Sequence, residues 1–294
     1  MERNVCVIIN PSANRGRTAA AEERVRDCFD SFNIPHAVIL TRAPGHAAEI
    51  AAGAAGKNGS FTDIIAVGGD GTLNEVINGA AGNKIDIGII PAGSGNDFIK
   101  SFTRKKRSLP EWARAALFSP SRAIDAGICN GRYFINGVGI GFDGEVVAAR
   151  KTNNIGGFVG YLLSVLKLVV TYREQNYSIH IDKEEFNGRY FLITIGNGTT
   201  FGGGFRLTPE AVPDDGLLDI CLIKKIGLLK RYINIPKAVA GKHKSVREVS
   251  FLKAGKLRIK ADKPLNAHFD GESYKSESFD ISLLPGFVSM RLPT

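Results

Sequence analysis

Cysteine is scarce in this 294-residue chain, and its four copies stand far apart at Cys6, Cys28, Cys129 and Cys221. No C-x-x-C occurs, so neither a disulfide framework nor a zinc site is expected, and a reducing compartment fits. The histidines (His36, His46, His180, His243 and His268) show no metal-ligand spacing, and no Ser–His–Asp arrangement can be assigned. Long apolar runs are missing too. The longest, Gly156 to Tyr172, is interrupted by Lys167, whereas a membrane-spanning helix wants about 20 predominantly apolar residues. At the N-terminus only five apolar residues precede Asn10-Pro11, too few for a signal-peptide core. There is no internal repeat and no low-complexity segment. Acid is in deficit: 29 Asp and Glu against 38 Lys and Arg leave a net charge of +9. That imbalance suits an anionic partner such as a membrane surface, a nucleotide or a nucleic acid.

What is present is an ordinary globular composition, 44% hydrophobic and 23% charged. Disorder as the main state is thereby excluded, since enough apolar surface exists to offset chain entropy. The length suits two domains. Residues 1–125 alternate strands (Val5–Ile9, Ala37–Leu40, Ile64–Val67, Ile87–Ile90) with helices (Ala19–Phe32, His46–Ala55, and one opening at Leu73). This predicts an α/β N-terminal domain, a parallel sheet covered by helices. Residues 126–285 change period, with apolar runs at Tyr190–Ile195, Leu217–Ile223, Leu257–Ile259 and Phe279–Leu284. Turn dipeptides punctuate them at Asn130-Gly131, Asn187-Gly188, Asp215-Gly216 and Asp270-Gly271. The pattern predicts a mainly antiparallel β-sandwich interrupted by one helix over about Gly157–Tyr172. The last strand, about 286–294, is a candidate to return to the first domain.

The positive charge is concentrated. Lys224 to Lys263 holds thirteen Lys and Arg against two acids, Glu248 and Asp262, a net +11. Such a segment is a solvated face or a surface for anionic lipid head groups. Aromatics are sparse among these lysines (Tyr232, Phe251), which speaks against base stacking and nucleic-acid recognition.

The strongest local signal is Val67-Gly68-Gly69-Asp70-Gly71-Thr72-Leu73-Asn74-Glu75. An apolar strand runs into two glycines, an acid, a third glycine and a helix start. Glycines let backbone approach a phosphate and expose N–H groups to it, and the helix N-terminus adds partial positive charge. A carboxylate in such a loop is repelled by phosphate unless a divalent cation intervenes, so Asp70 argues for Mg²⁺. The spacing fits neither the Walker loop nor G-x-G-x-x-G.

This string resembles the nucleotide loop of the diacylglycerol kinase catalytic-domain superfamily. That group includes soluble bacterial diacylglycerol and lipid kinases, sphingosine kinases and, more distantly, NAD kinases. Four further segments resemble the lipid-kinase branch in order: Asn10-Pro11-Ser12-Ala13-Asn14, Pro91 to Phe98, Asp214 to Leu218, and Asp270-Gly271-Glu272. Together they span nearly the whole chain.

The resemblance implies ATP contacts at Asn10, Pro11, Ser12, Ala13, Asn14, Thr41, Gly68, Gly69, Gly71, Thr72, Leu73, Asn74, Glu75 and Ser94. Asp70 would act through Mg²⁺ and water at the β- and γ-phosphates. Asp97 and Asp125 would take supporting acidic roles. A structural Mg²⁺ is implied at Asp215 with the carbonyls of Val212 and Leu217, and Asp214 either joins it or faces the active site. Glu272 would be the base that takes the proton from the attacking alcohol. On the residues alone these segments also read as turns and caps: Asn96-Asp97 as a helix cap, Asp214 to Gly216 as a hairpin turn, Glu272 as a solvated turn residue.

The expected activity is ATP- and Mg²⁺-dependent phosphorylation of a lipid hydroxyl, most simply diacylglycerol to phosphatidic acid. The helix Gly156–Tyr172 is the candidate wall of an acyl cleft, with simple packing on the β-domain as its bland reading. The protein would work in the cytoplasm, peripherally at the inner face of an anionic membrane, and the resemblance allows a homodimer. Other acceptors stay open (phosphatidylglycerol, monoacylglycerol, a sphingoid base, soluble NAD), as does a catalytically silent lipid- or nucleotide-binding regulator.

Overall fold

Two units are found in the computed structural model, which describes residues 3–14, 16, 18, 21–56, 59–150 and 157–293. One comprises Met1–Ile124 with Pro285–Thr294, and the other Asp125–Leu284.

In the first unit, β1 (Val5–Ile9) and β3 (Asp63–Gly68) are buried at every residue. Uninterrupted apolar strands of this kind need cover on both faces. Strand β1 pairs in parallel with β2 (His36–Leu40) and β3, and β3 pairs in parallel with β4 (Asp86–Pro91). The order is therefore β2-β1-β3-β4. Helices α1 (Glu22–Asp30) and α4 (Leu109–Phe118) cover one face, with Phe29 and Leu117 against Val5, Val7 and Ile65. The predicted start of α1 at Ala19 lies outside the described residues. Helix α4 opens on a capping box, Ser108 with Glu111, and has Pro in its first turn. Helices α2 (His46–Ala55) and α3 (Asp70–Ala80) pack on one another so closely that a Cβ on Gly79 would lie 2.1 Å from the Ala48 carbonyl oxygen. Helix α3 begins at Asp70, three residues before the predicted Leu73, because Gly68 and Gly69 alone make the turn and Asp70-Gly71-Thr72 are already helical.

The chain comes back to this unit at its end. Ser289–Arg291, the last residues of β13 (Glu272–Arg291), pair in parallel with Asp86–Gly88. Arg291 bonds Asp63, Asp86 and the Ser119 carbonyl.

The second unit is antiparallel in every strand pair described within it. Strand β5 (Ser121–Cys129) turns through Asn130-Gly131 into β6 (Arg132–Phe134). The long strands β9 (Glu184–Gly196) and β12 (Lys256–Phe269) each pair with β8 (Gln175–Ile181) along one half and with β7 (Gly137–Gly141) along the other. Strands β10 (Leu218–Lys224) and β11 (Val249–Ala254) extend the sheet beyond β9. Alternate side chains such as Ile179, Ile193, Ile220, Ile259 and Phe279 fill one core.

Two sequence expectations fail here. Asn187-Gly188 is not a turn: it lies within β9, opposite Ser178 and Tyr177, and the chain reverses at Asp182-Lys183. Asp182 takes φ 51°, a backbone its short polar side chain tolerates, so an Asp with a non-Gly neighbour does the work expected of Asn-Gly. Among the described residues the single expected helix is also three. Besides α6 (Gly157–Thr171) there are α5 (Phe142–Arg150) and α7 (Leu228–Ala240). Helix α7 carries Pro236 in its interior, a residue that argues against a helix in a sequence because it removes one ladder hydrogen bond.

Candidate functional site

In the first unit the loops after β1 and β3 leave neighbouring parallel strands, and the chain then departs in opposite directions, from β1 through α1 to β2 and from β3 through α3 to β4. The carboxyl ends of two such strands form the crevice where open α/β sheets bind ligands. Asn10 ties the two loops together: its side-chain amide donates to Thr72 Oγ1 at 3.0 Å, and its Oδ1 accepts the Ser12 N–H at 3.0 Å. Asn14 closes that loop with φ 48°.

The glycines of the β3–α3 turn are there for close approach. A Cβ on Gly68 would stand 2.4 Å from Thr72 Oγ1. Gly69 meets Gly93 backbone to backbone, where a Cβ on Gly93 would be 2.4 Å from Gly69 Cα. The cap residue Gly69 contributes no side chain to the helix start, and the Leu73 N–H is received by the Gly69 carbonyl at 3.1 Å. The amides of Asp70, Gly71 and Thr72 precede any carbonyl the helix can offer them, and Gly71 adds no side chain over them. This donor set fits an anionic phosphate tail.

The third loop, Pro91 to Phe98, is shaped by Asn96 at φ 51°, whose side chain both accepts from Gly93 N–H and donates to Gly93 O at 2.9 Å. Asn96 thus braces its own loop instead of capping a helix. Asp97 pairs with Lys100 at 2.9 Å and makes no cap bond to the short 3-10 turn that follows. Asp70 Oδ1 accepts the Phe98 N–H at 3.1 Å. A Cβ on Gly95 would lie 3.2 Å from Asp70 Oδ2 and 3.6 Å from Asp97 Oδ2, so the two carboxylates converge on one glycine. Converging hard oxygens beside that turn fit a hydrated Mg²⁺.

Ser94 is exposed in this loop, Ser12 is exposed in the first, and Thr41 is buried directly after β2 with its N–H on the Ile9 carbonyl. Pro11 and Ala13 lie in the turn that Asn10 organises. Three predicted nucleotide contacts have other employment. Glu75 accepts the N–H groups of Gly45 and Ala47 and so caps α2 from a distance. Leu73 is fully buried. Asn74 receives the Asn78 side chain one turn on. A helix turns its residues through all directions, so only those at its very start can face a ligand.

In the second unit, Asp270-Gly271 is a two-residue turn joining β12 to β13, with φ 48° and 89°, the left-handed pair of a type I′ hairpin. Asp270 is buried and accepts three backbone amides, from Ile135 at 2.8 Å, Asn136 at 3.0 Å and Gly137 at 2.8 Å. Glu272, one residue beyond the turn, is exposed. Behind it His268 is buried; its Nε2 meets Asp143 Oδ2 at 2.9 Å, and its Nδ1 accepts the Gly271 N–H at 3.3 Å. Those bonds place the ring proton on Nε2. Tyr161 of α6 bonds the other Asp143 oxygen. The sequence gives no sign of this Tyr161–Asp143–His268 chain, since its members stand on three separate elements.

The predicted structural-metal position is occupied differently. Asp215 Oδ1 accepts the Leu217 N–H at 3.0 Å, and its Oδ2 holds the Lys253 ammonium at 2.9 Å. Lys253 also reaches Asp219 at 3.1 Å. The Val212 carbonyl accepts the Asp215 N–H at 3.3 Å. A lysine from β11 thus supplies the positive charge expected of a metal, and the donors at Asp215, Val212 and Leu217 as they stand do not fit a second cation. Burial raises the Asp219 carboxyl above the usual aspartate value, opposed by Lys253. Asp214 is exposed, and Asp125 is buried with Oδ2 on the Gly216 N–H at 2.8 Å, bracing this turn.

Beneath α6 and α7 lies an apolar cavity, lined by Phe142, Tyr161, Val165, Phe191, Phe205 and Ile235 among others. Arg231 pins the two helices together. It donates to the carbonyls of Val169 and Tyr172 at the end of α6 and pairs with the half-buried Glu174 at 2.6 Å.

Comparison with known proteins agrees across the chain. The diacylglycerol kinase catalytic domain family matches residues 4–129, and the YegS C-terminal NAD kinase beta sandwich-like domain matches residues 136–291. The chain is 28% identical to the diacylglycerol kinase of Bacillus subtilis (strain 168) over 90% of its length and 88% of that protein. It is 30% identical to the "Probable lipid kinase YegS-like" of Chromohalobacter salexigens over 78% of its length and 76% of that protein. A crystal structure from Bacillus anthracis str. Sterne superposes with a TM-score of 0.83 at 26% identity, covering 99% of this chain and 97% of the other.

Proposed function

From the premise that this chain belongs to the diacylglycerol kinase and YegS family of lipid kinases, we propose that it transfers the γ-phosphoryl group of ATP, with Mg²⁺, to the hydroxyl of diacylglycerol. The observation that carries this reading is the β3–α3 turn, where three amides precede the helix ladder and two carboxylates converge beside them. Those amides receive the phosphate oxygens. Mg²⁺, when bound, supplies charge neutralisation on the β- and γ-phosphates. Asp70 and Asp97 are the residues to hold it through water, and Asn10 and Thr72 keep the two loops in register.

Phosphoryl transfer gains most from positioning and electrostatics. The lipid oxygen bonds to the γ-phosphorus as the bond to the β–γ bridging oxygen breaks, ADP leaves, and the hydroxyl proton goes to Glu272. An exposed carboxylate on a rigid I′ turn suits that task, because Asp270 fixes the backbone while Glu272 stays available. The apolar cavity favours an acyl-bearing acceptor over a soluble one such as NAD.

The test is direct. Purified protein with radiolabelled ATP, Mg²⁺ and a bacterial lipid extract should label phosphatidic acid. Label in a different phospholipid would replace the acceptor, and no label in any lipid would end the reading.

A further inference from the structure

Helices α6 and α7 are apolar on two sides. Their inner sides line the cavity: Tyr161, Val165 and Val169 from α6, and Ile235 and Ala238 from α7. Their outer sides are apolar as well. On α6, Val159 is 62% exposed, followed by Leu163, Leu166 and Val170 at intervals of four, three and four residues, which places them on one stripe of a 3.6-residue helix. On α7, Leu228, Leu229, Tyr232 and Ile233 form a second stripe, with Leu229 73% and Ile233 56% exposed. Helices covering a water-facing protein normally put polar residues there, and a contiguous apolar patch marks a contact site.

Charge identifies the contact. Neither helix contains an Asp or a Glu, while Lys167 and Lys237 stand on them, Arg173 and Lys242 lie within two residues of their ends, and Lys225 lies three residues before α7. Much of the rest of the basic segment is committed elsewhere: Lys230 to Glu248, Arg231 to Glu174, Lys244 to Glu210, Lys253 to Asp215 and Asp219, and Arg258 to Asp280. A second copy seated symmetrically on this face would bring like-charged rims together. Apolar stripes rimmed by cations suit a layer that is anionic at its surface and hydrocarbon just below.

We propose that the outer faces of α6 and α7 form one docking surface for an anionic lipid bilayer, with Val159, Leu163, Leu229 and Ile233 entering the interface and the lysines meeting the head groups. The proposal rests on the reading that the acceptor is a lipid, and gives it a route: the helices that touch the bilayer outside line the apolar cavity inside. Arg231 keeps the pair together as a unit.

The test is sedimentation of the full-length protein with vesicles of phosphatidylglycerol and phosphatidylcholine, and with phosphatidylcholine alone. The wild type should bind the anionic vesicles and not the neutral ones. The double variant L229E/I233E, which touches neither the cavity lining nor the nucleotide loops, should lose binding by more than about tenfold. It should keep its circular dichroism and its turnover of detergent-dispersed dioctanoylglycerol. K237E/K242E should weaken anionic-vesicle binding while leaving the apolar stripe intact.

Equal binding of wild type and L229E/I233E would overturn the proposal. So would equal binding to neutral and anionic vesicles, or a concentration-dependent dimer that the double variant abolishes, which would assign the face to a second copy. The two readings fail separately. A wild type that phosphorylates dispersed dioctanoylglycerol but ignores vesicles sinks the docking surface alone, and one that binds vesicles but phosphorylates no lipid sinks the acceptor alone.

Discussion

Asp270 and Glu272 sit two positions apart on one hairpin and have opposite surroundings. Asp270 is buried under three amide donors, and Glu272 is exposed. They should therefore fail differently. Glu272→Gln should lower turnover by about 10²–10⁴-fold while ATP affinity and melting temperature stay at wild-type values; unchanged turnover would remove Glu272 from the mechanism. Asp270→Ala orphans three buried N–H groups and should cost more than about 3 kcal/mol of stability, read as a lower midpoint in urea. Both residues are legible in the sequence as Asp-Gly-Glu, because an Asp-Gly pair between apolar runs specifies an I′ turn. Their division of labour is not legible, since the amides that bind Asp270 come from positions 135–137, more than a hundred residues away. The same applies to Glu75, whose place in the motif suggests a ligand contact and whose carboxylate instead caps α2.

At the scale of elements, the β3–α3 turn is visible in the sequence because strand, glycines and helix start are contiguous. Its partner loop, Pro91 to Phe98, is legible as a segment, but the contact of Gly93 with Gly69 is not, since strand pairing sets it. Gly93→Ala should force these backbones apart and weaken ATP binding by about tenfold or more, whereas Gly255→Ala, which meets open space, should leave it unchanged; equal ATP affinities in isothermal titration would refute the close-approach argument. The β11 lysine is equally hidden, because nothing in Lys253 itself announces two carboxylates waiting on the next strand and turn. Lys253→Met should remove about 1–3 kcal/mol at neutral pH, with a distinctive pH dependence. Burial already raises Asp219, and without the ammonium that rise is unopposed. A carboxyl whose folded-state pKa lies above its unfolded one binds more protons when folded, so stability falls as pH climbs through that interval. The variant should lose stability from acid to neutral pH more steeply than wild type in pH-resolved urea melts; parallel profiles would refute the coupling.

For the whole molecule, the first unit is assembled from both ends of the chain. Residues 285–294 belong to it, and Ser289–Arg291 pair with β4. Arg291 joins Asp63, which is only 2% exposed, to Asp86. The sequence makes the last strand, about 286–294, a candidate for this return, but the partner strand cannot be read from it because parallel pairing carries no local turn signal. A chain ending at Leu284 should keep the antiparallel unit's cooperative transition and lose that of the first unit, together with ATP binding. Arg291→Met isolates the ionic part. Arg3 still reaches Asp63 at 3.2 Å, so the loss should be partial, about 1–3 kcal/mol, appearing as a shift of the first transition only. A shortened chain that binds ATP like the full-length protein would show that the returning strand is an ornament on a unit that folds without it.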